Sequence, residues 1–147
     1  MDDSSAADDL LRLAGALSRW ASSQAGLGVP SGVLRLLATV EEHGPIRIGD
    51  LAHADQTSQP AVTRQSSRLE GLGWVERVAD PADARATLVS VTEAGRERLA
   101  EARRARGEAV ARLLDETHLP AARVREAAQL LDQLLQAAQR GAGEKGR

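Results

Sequence analysis

The chain lacks cysteine, phenylalanine and tyrosine, and two tryptophans are the only aromatic side chains among its 147 residues. Without cysteine it can form neither disulfides nor thiolate metal sites, and redox sensing through cysteine is excluded. The three histidines are scattered and lack the spacing of metal ligands, so we expect neither a metal nor a cofactor. No apolar run approaches the roughly 20 residues that a membrane-spanning helix requires. The acidic start, Met1-Asp2-Asp3, is unlike a secretory signal, and we expect a cytoplasmic protein with no membrane partner.

The charges nearly cancel, with 19 Lys and Arg against 21 Asp and Glu and a formal net charge of −2. Domains that bind nucleic acid tend to be basic, so the total by itself counts slightly against such a partner. Salt confines the effect of exposed charges to about 10 Å, however. The local placement of the arginines therefore matters more than their sum.

Apolar residues recur at three- and four-residue steps along much of the chain, which predicts amphipathic helices. Together with glycine and proline breaks, this pattern places helices at residues 6–25, 31–43, 49–54, 58–73, 93–116 and from 120 onward. We expect the second helix to bury Val33, Leu34, Leu37 and Val40, and the fourth to bury Val62, Ser66, Leu69 and Leu72. A short strand is expected at residues 46–48.

Residues 74–91 predict a β-hairpin that directly follows these short helices. Strand candidates at Trp74–Ala79 and Ala86–Val91 flank the turn formers and charges of residues 80–85. Thr92 and Glu93 then open a helix with a good cap and a favourable dipole arrangement. A hairpin placed after a helix-turn-helix pattern is the wing of a winged helix, an arrangement that usually binds DNA.

The expected fold is mainly α with a small β-hairpin wing, in which long N- and C-terminal dimerisation helices flank a winged helix-turn-helix core. We expect an N-terminal dimerisation helix in residues 1–30, the DNA-binding domain in 31–95, C-terminal dimerisation helices in 96–140 and a disordered tail in 141–147. Leu130-Leu131 and Leu134-Leu135 widen the apolar stripe of the last helix beyond what a small core can cover. A second copy of the chain is the expected partner for that stripe.

The fourth helix has the composition of a recognition helix for the major groove of double-stranded DNA. If Val62, Ser66 and Leu69 face inward, the helical period turns short polar residues and arginine outward, with no carboxylate before Glu70. The expected DNA contacts are Ser58, Gln59, Pro60, Thr63, Arg64 and Ser67, with Arg68 at the flank facing phosphate. Arg64 can bind guanine through two hydrogen bonds.

The predicted wing carries one arginine and two aspartates near its tip. We expect Arg85 to reach the minor groove or a phosphate. Asp83 is unsuited to a phosphate contact, so we expect it to pair with Arg77 or Arg85 and to fix the hairpin. Asp80 is expected to hold the turn, which makes Arg77, Asp80 and Asp83 the bracing residues of the wing.

These residues resemble the MarR family of bacterial transcription regulators. The resemblance rests on Asp50-Leu51-Ala52, on Ser58 to Arg64, on Leu69 to Arg77, and on the wing signature Asp80 to Arg85 followed by Val91-Thr92-Glu93-Ala94-Gly95. About a third of the chain carries it, and the wing signature is its most specific part.

The resemblance implies a homodimer that binds pseudo-palindromic operators, with the recognition helix in the major groove and the wing in the minor groove. It also implies a repressor that a small, often aromatic, ligand releases from DNA. The implied ligand site would lie near Leu17, Trp20, Leu37 and His43. Trp20 lies on an apolar helix stripe, however, and such a residue more often packs in the core or in a dimer interface. The branch of the family that senses oxidants through cysteine is excluded.

Two function classes remain open from the sequence. The first is a DNA-binding transcription regulator, which the polar, acid-free outer face of the fourth helix favours, because protein interfaces centre on large apolar anchors. The second is a winged-helix module that binds proteins without specific DNA binding, which the near-neutral charge favours. We expect no enzyme, since no nucleophile and base, carboxylate pair, phosphate loop or metal set is evident.

Overall fold

The computed structural model describes residues 3–145 and consists of six helices and one two-stranded sheet in that range. Along the chain these are α1 (Asp3–Gln24), α2 (Ser31–His43), α3 (Ile48–Ala54), α4 (Gln59–Gly71), β1 (Val75–Asp80), β2 (Asp83–Val91), α5 (Glu93–Thr117) and α6 (Ala121–Lys145). The predicted fold class, mainly helical with a hairpin after the helix-turn-helix, is confirmed. The chain forms two compact units that divide within α5, after Ala109. None of the described helices is both long and apolar enough to cross a membrane.

A single apolar core joins α2, α3, α4, the hairpin and the start of α5. Its fully buried side chains are Leu36, Leu37 and Val40 of α2, Leu51 of α3, Val62 and Leu69 of α4, and Val89 of β2. Close packing of such residues from α2, α3, α4, the hairpin and α5 fixes the orientation of α4, because a protein interior packed to crystal density leaves little room for movement.

Two predicted core positions are wrong. The buried stripe of α2 includes Leu36 rather than Leu34, because successive helical residues are rotated by about 100° and Leu34 falls on the flank of the stripe that contains Val33. Leu72 is 43% exposed, because α4 ends at Gly71 and Leu72 lies beyond its last turn. The buried surface continues instead into Val75.

The breaks after α1 and α2 have different physical causes. Gly26 and Gly28 have φ values of 56° and 68°, the left-handed conformation that glycine adopts without strain, and α1 ends just before them. Gly44, which follows α2, is extended instead, with φ of −76°. A Cβ atom at Gly44 would lie 2.5 Å from the carbonyl oxygen of Val40, so glycine is required there for close approach.

The strand predicted at residues 46–48 is reduced to one residue. Ile46 exchanges two backbone hydrogen bonds with Val89 of β2, with N···O distances of 3.0 and 2.8 Å. The chain then enters α3 at Ile48, because Arg47 is already the N-cap residue of that helix. The bridge nevertheless connects the hairpin to the start of the helix-turn-helix.

The hairpin is longer than the sequence pattern predicts. Its antiparallel register pairs Val75 with Val91 and Val78 with Leu88, and an irregularity follows Ala79. β2 begins at Asp83 rather than near Ala86, so the turn contains only two residues, Pro81 and Ala82. Asp80, Asp83 and Arg85, which the sequence pattern placed in the tip, therefore belong to the strands.

The second unit consists of the end of α5 and α6. Helix α6 runs to Lys145 and thus includes residues 141–145, where the sequence analysis expects a disordered tail, and the last two residues lie outside the described range. Adding residues to an existing helix avoids the cost of nucleation, which lets it continue through a glycine. Large apolar side chains of α6 are exposed, among them Leu130 (48%), Leu134 (49%) and Leu135 (64%).

Gly95 and Gly107 of α5 provide a matched test of the packing between this helix and the hairpin. A Cβ at Gly95 would overlap the backbone carbonyl of Trp74, whereas a Cβ at Gly107 meets nothing within 4 Å. We expect Gly107→Ala to stabilise the protein by up to about 1 kcal/mol through helix propensity. Gly95→Ala should destabilise it by about 1–3 kcal/mol through overpacking, despite the same gain in propensity. Urea denaturation measures both, and equal stabilisation by the two changes would contradict the close approach at Gly95.

Candidate nucleic-acid interface

Helix α4 is positioned by its own cap and by its buried face. The Ser58 side chain accepts a hydrogen bond from the backbone N–H of Ala61 at 3.4 Å, and Pro60 occupies the first turn, where a missing N–H costs nothing. Val62, Ser66 and Leu69 are buried, as predicted. The buried Ser66 hydroxyl donates to the backbone carbonyl of Thr63 at 3.1 Å, whereas the buried Oε1 atom of Gln65 has no hydrogen-bond partner among the described residues.

The opposite face of α4 is exposed and polar. All of the predicted groove-facing residues are exposed: Ser58, Gln59, Pro60, Thr63, Arg64, Ser67 and Arg68. No carboxylate interrupts this row before Glu70. Among residues 3–145, neither Arg64 nor Arg68 takes part in an ion pair, so both guanidinium groups can bind an external anion.

A partly buried ion pair that the sequence analysis missed holds the turn between α3 and α4. The side chain of Asp55 is 1% exposed and accepts a hydrogen bond from Nη2 of Arg35 at 3.0 Å. Its other oxygen accepts from the hydroxyl of Thr39 at 3.3 Å. The next residue, Gln56, has φ of 52°, so the chain reverses sharply here. These residues are 16 and 20 positions apart, and no local sequence pattern links them.

A second ion pair connects the wing to the helix-turn-helix. Asp80, at the end of β1, accepts a hydrogen bond from the backbone N–H of Ala82 at 2.8 Å and another from Nε of Arg47 at 2.8 Å. These two contacts, the Ala82 N–H first and the Arg47 guanidinium second, hold the pKa of Asp80 below its ordinary value. The same contact raises the pKa of Arg47. Since Arg47 is the N-cap residue of α3, it ties the wing turn to that helix.

The predicted wing pairs are wrong in part. Asp80 braces the turn as expected, but its cationic partner is Arg47 rather than a wing residue. Arg77 pairs with Glu70 of α4 at 3.1 Å, because three strand residues, roughly 10 Å, separate it from the tip. Asp83 accepts a hydrogen bond from the backbone N–H of Arg85 at 3.0 Å, not from a guanidinium. Within the described range the Arg85 side chain is exposed and forms no ion pair.

A cavity of about 570 Å³ lies among α1, α2 and the first half of α5. None of the four residues predicted for a ligand site lines it. Leu37 is fully buried in the core, Leu17 is 46% exposed, and Trp20 is half-buried. His43 is exposed near the C-terminal end of α2, where its Nδ1 lies 3.1 Å from the carbonyl oxygen of Thr39. The prediction selected large and aromatic residues, whereas the cavity is lined by small residues, leucines and arginines.

No group of three His, Asp or Glu side chains within the described residues is placed to hold a metal ion. The structure thus combines a capped helix with a polar exposed face, α4, and a hairpin beside it. Helix α4 follows a tight turn, and the hairpin is connected to the same frame of α2, α3 and α4. This geometry defines a winged helix-turn-helix protein.

Comparison with known proteins finds a family similarity in the segment that contains the helix-turn-helix. Residues 31–87 match the model of the MarR family. An uncharacterized HTH-type transcriptional regulator of Mycobacterium bovis is 40% identical over 81 residues, which are 55% of this chain and 57% of that protein. The chain thus matches little more than half the length of this relative. Over residues 31–87 the chain is therefore similar to the MarR family.

Solved structures agree on the fold along nearly the whole chain. Wild-type MarR of E. coli in its apo form aligns with a TM-score of 0.70 and 23% identity, covering 92% of this chain and 98% of that one. CouR of Rhodococcus jostii RHA1 bound to p-coumaroyl-CoA aligns with a TM-score of 0.61 and 23% identity, covering 85% and 88%. At these identities the likeness establishes the fold alone.

The ion pair between Asp80 and Arg47 predicts a pH-dependent contribution to stability. Because the pKa of Asp80 in the folded chain lies below its ordinary value of 3.8, the stabilisation is present above that pH and is lost as the pH falls further. Asp80→Asn should therefore lower the melting temperature at neutral pH. The difference from the parent protein should shrink below pH 3.8.

Asp83→Asn is the matched control, since it removes the same charge from the other strand but no ion pair. Its melting temperature should stay close to that of the parent protein. Calorimetry across the acidic range measures all three proteins, and a constant deficit of Asp80→Asn at every pH would contradict the electrostatic role.

Proposed function

We propose that this chain is a DNA-binding transcription regulator whose α4 enters the major groove and whose hairpin contacts the minor groove or its phosphates. The observation that carries the proposal is the exposed face of α4, where Gln59, Thr63, Arg64 and Ser67 form a polar row without a carboxylate. Short polar residues and arginine are the side chains that contact base edges and phosphates. The similarity of residues 31–87 to the MarR family supports the same function.

The acidic total charge does not oppose this proposal. Three carboxylates near the interface are engaged with arginines: Asp55 with Arg35, Asp80 with Arg47, and Glu70 with Arg77. Arg64, Arg68 and Arg85 then supply the local positive charge. A winged-helix module for protein contacts would instead be expected to expose large apolar anchors on α4. Only Leu72, beyond the end of this helix, is a large exposed apolar residue of that segment.

The proposed active form is a homodimer that binds a pseudo-palindromic operator. Exposed leucines on both terminal helices support it: Leu11 (74%), Leu13 (56%), Leu17 (46%), Leu130 (48%), Leu134 (49%) and Leu135 (64%). An apolar surface of this extent is typical of an interface. A two-fold dimer would place its recognition helices about 34–36 Å apart, one turn of DNA.

We further propose that the regulator is a repressor released by a small ligand in the cavity among α1, α2 and α5. The cavity volume of about 570 Å³ is within the ordinary range for such sites. The acyl-CoA ligand bound to CouR, a protein of the same fold, supports ligand control.

Arg64 tests the assignment of the major-groove face. Arg64→Ala should cost about 1–3 kcal/mol of operator affinity and relax the sequence preference, because a bidentate contact to a base is lost. Arg68→Ala, the control, should weaken binding about equally for all sequences. Selection from random duplexes followed by fluorescence anisotropy measures both effects. If Arg64→Ala selects the same sequences with unchanged affinity, α4 does not enter the groove in this orientation.

Arg85 and Asp83 test the wing. Arg85→Ala should reduce the slope of log affinity against log salt by about 1, since one phosphate contact is lost. Asp83→Ala should also weaken binding, because it removes the acceptor for the Arg85 N–H, whereas Asp83→Asn keeps an acceptor and should not weaken it. Anisotropy at several salt concentrations measures the slopes. Tighter binding by Asp83→Ala would show that this aspartate does not brace the wing.

Leu134 tests the dimer. Leu134→Asp places an unpaired charge in the proposed apolar interface and should weaken association by about 3–5 kcal/mol, a hundredfold or more. Gln133→Asp, at the adjacent exposed polar position of α6, is the control and should leave the dimer intact. Light scattering at micromolar concentration gives the oligomeric state. A monomeric parent protein would rule out the dimer, and with it the symmetric operator.

A further inference from the structure

A glycine of α3 lies against the side chain of the first residue of α4. A Cβ atom built on Gly49 would lie 2.9 Å from Nε2 of Gln59, well inside van der Waals contact. Gly49 is the only glycine of α3, so the amide of Gln59 occupies the one position on that helix where no side chain excludes it. The missing side chain at residue 49 therefore sets where this amide lies.

The side chain of Gln59 is exposed, and within residues 3–145 no hydrogen bond engages its amide. Its neighbours at the start of α4 offer less to a base. The Ser58 hydroxyl serves as the helix cap, and Pro60 has no polar side-chain atom. The Thr63 hydroxyl donates its one hydrogen to the backbone carbonyl of Gln59 at 2.8 Å. Because the N-terminal residues of a recognition helix contact base edges, Gln59 is placed to contact a base.

The amide of glutamine complements one base in particular. It presents a donor and an acceptor side by side, and the major-groove edge of adenine presents the N7 acceptor beside the N6 amino donor. Guanine presents two acceptors at the same edge, which suits the guanidinium of Arg64 but leaves the carbonyl oxygen of Gln59 without a donor. A pyrimidine offers only one hydrogen-bonding group there. Adenine is therefore the base that pairs with both groups of the Gln59 amide.

We propose that Gln59 contacts an adenine of the operator through two hydrogen bonds, and that Gly49 is the positioning residue that holds the Gln59 amide for this contact. This inference rests on the proposed function, because it names a base that α4 contacts and a residue outside α4 that governs the contact. A side chain at residue 49 would displace only the far end of a flexible side chain. Hydrogen bonds weaken steeply when they are misaligned, so a small displacement of the amide is enough to change the base preference.

Two glycine variants test the positioning role. Gly49→Ala should leave the fold intact, because alanine favours helix over glycine and the amide can move aside. Its preference for adenine at one operator position should fall about tenfold. Gly32→Ala is the matched control, since Gly32 is the second residue of α2, as Gly49 is of α3, and its Cβ would make an ordinary contact, 3.8 Å from Nε2 of Gln65. Selection from random duplexes measures both preferences, and an unchanged preference in Gly49→Ala would overturn the proposal.

The effect of Gly49→Ala should depend on Gln59. Gln59→Ala should abolish the adenine preference at the same operator position, because both hydrogen bonds are lost. Adding Gly49→Ala to Gln59→Ala should change nothing further, since no amide is left to displace. A merely structural role of Gly49 would instead weaken binding equally in both backgrounds. That result, or a Gln59-dependent preference for a base other than adenine, would contradict the proposal.

A modified base tests the adenine contact directly. Replacing the selected adenine by 7-deazaadenine removes the N7 acceptor and leaves the base pair intact. Fluorescence anisotropy should show that the parent protein loses about tenfold in affinity, because one bond of the bidentate contact is gone. Gln59→Ala should bind the two duplexes equally. An equal loss in the parent protein and in Gln59→Ala would mean that another side chain contacts this base.

The contact itself can be tested without DNA. In proton–nitrogen correlation spectra of the free protein, the side-chain amide signals of Gln59, identified by their loss in Gln59→Ala, should shift in Gly49→Ala and stay in place in Gly32→Ala. Unshifted signals in Gly49→Ala would overturn the positioning role. A parent protein that binds no duplex would contradict the proposed function, while these signals still decide the contact. Specific binding that Gly49→Ala leaves unaltered would overturn the inference and leave the proposed function standing.

Discussion

The position of α4, the proposed recognition helix, depends on one carboxylate, Asp55, buried in the turn that precedes it. A buried charge is costly unless it is paired and hydrogen-bonded, and Asp55 satisfies both conditions through Arg35 and Thr39 of α2. Because these partners lie on α2, the turn is fixed to a different helix from the two that it joins. Apolar packing orients α4 about the core, and this polar contact fixes where α4 begins.

The wing is held to the same frame by the same kind of contact. Asp80 accepts the Arg47 guanidinium beside α3, and the Ile46 bridge adds two backbone hydrogen bonds to Val89. The hairpin therefore has both a side-chain and a backbone connection to the start of the helix-turn-helix. A two-stranded ribbon is only marginally stable by itself. These connections, with the packing of Val75, Val89 and Val91, allow it to present Arg85 at a defined place.

The sequence predicted the elements better than the contacts between them. The helical period and the glycine and proline breaks are local signals, and they located α4 and its exposed face. The Asp80 turn was likewise predicted from local chemistry. Arg35–Asp55 and Arg47–Asp80 join residues 20 and 33 positions apart, and such pairs follow only from the packing of α2, α3 and the hairpin. The cavity was missed for a similar reason, because it forms where α1, α2 and α5 present small and cationic side chains, none of which stands out in one helix.

The same pairs explain why the net charge of −2 is a poor guide to this surface. Three carboxylates near the candidate interface, Asp55, Asp80 and Glu70, pair with arginines, and they therefore contribute little field at the groove-facing side. The arginines on α4 and at the wing are left exposed without such partners. A balanced composition is thus compatible with a locally cationic face, because these carboxylates are paired with other arginines while the arginines of α4 and the wing stay exposed.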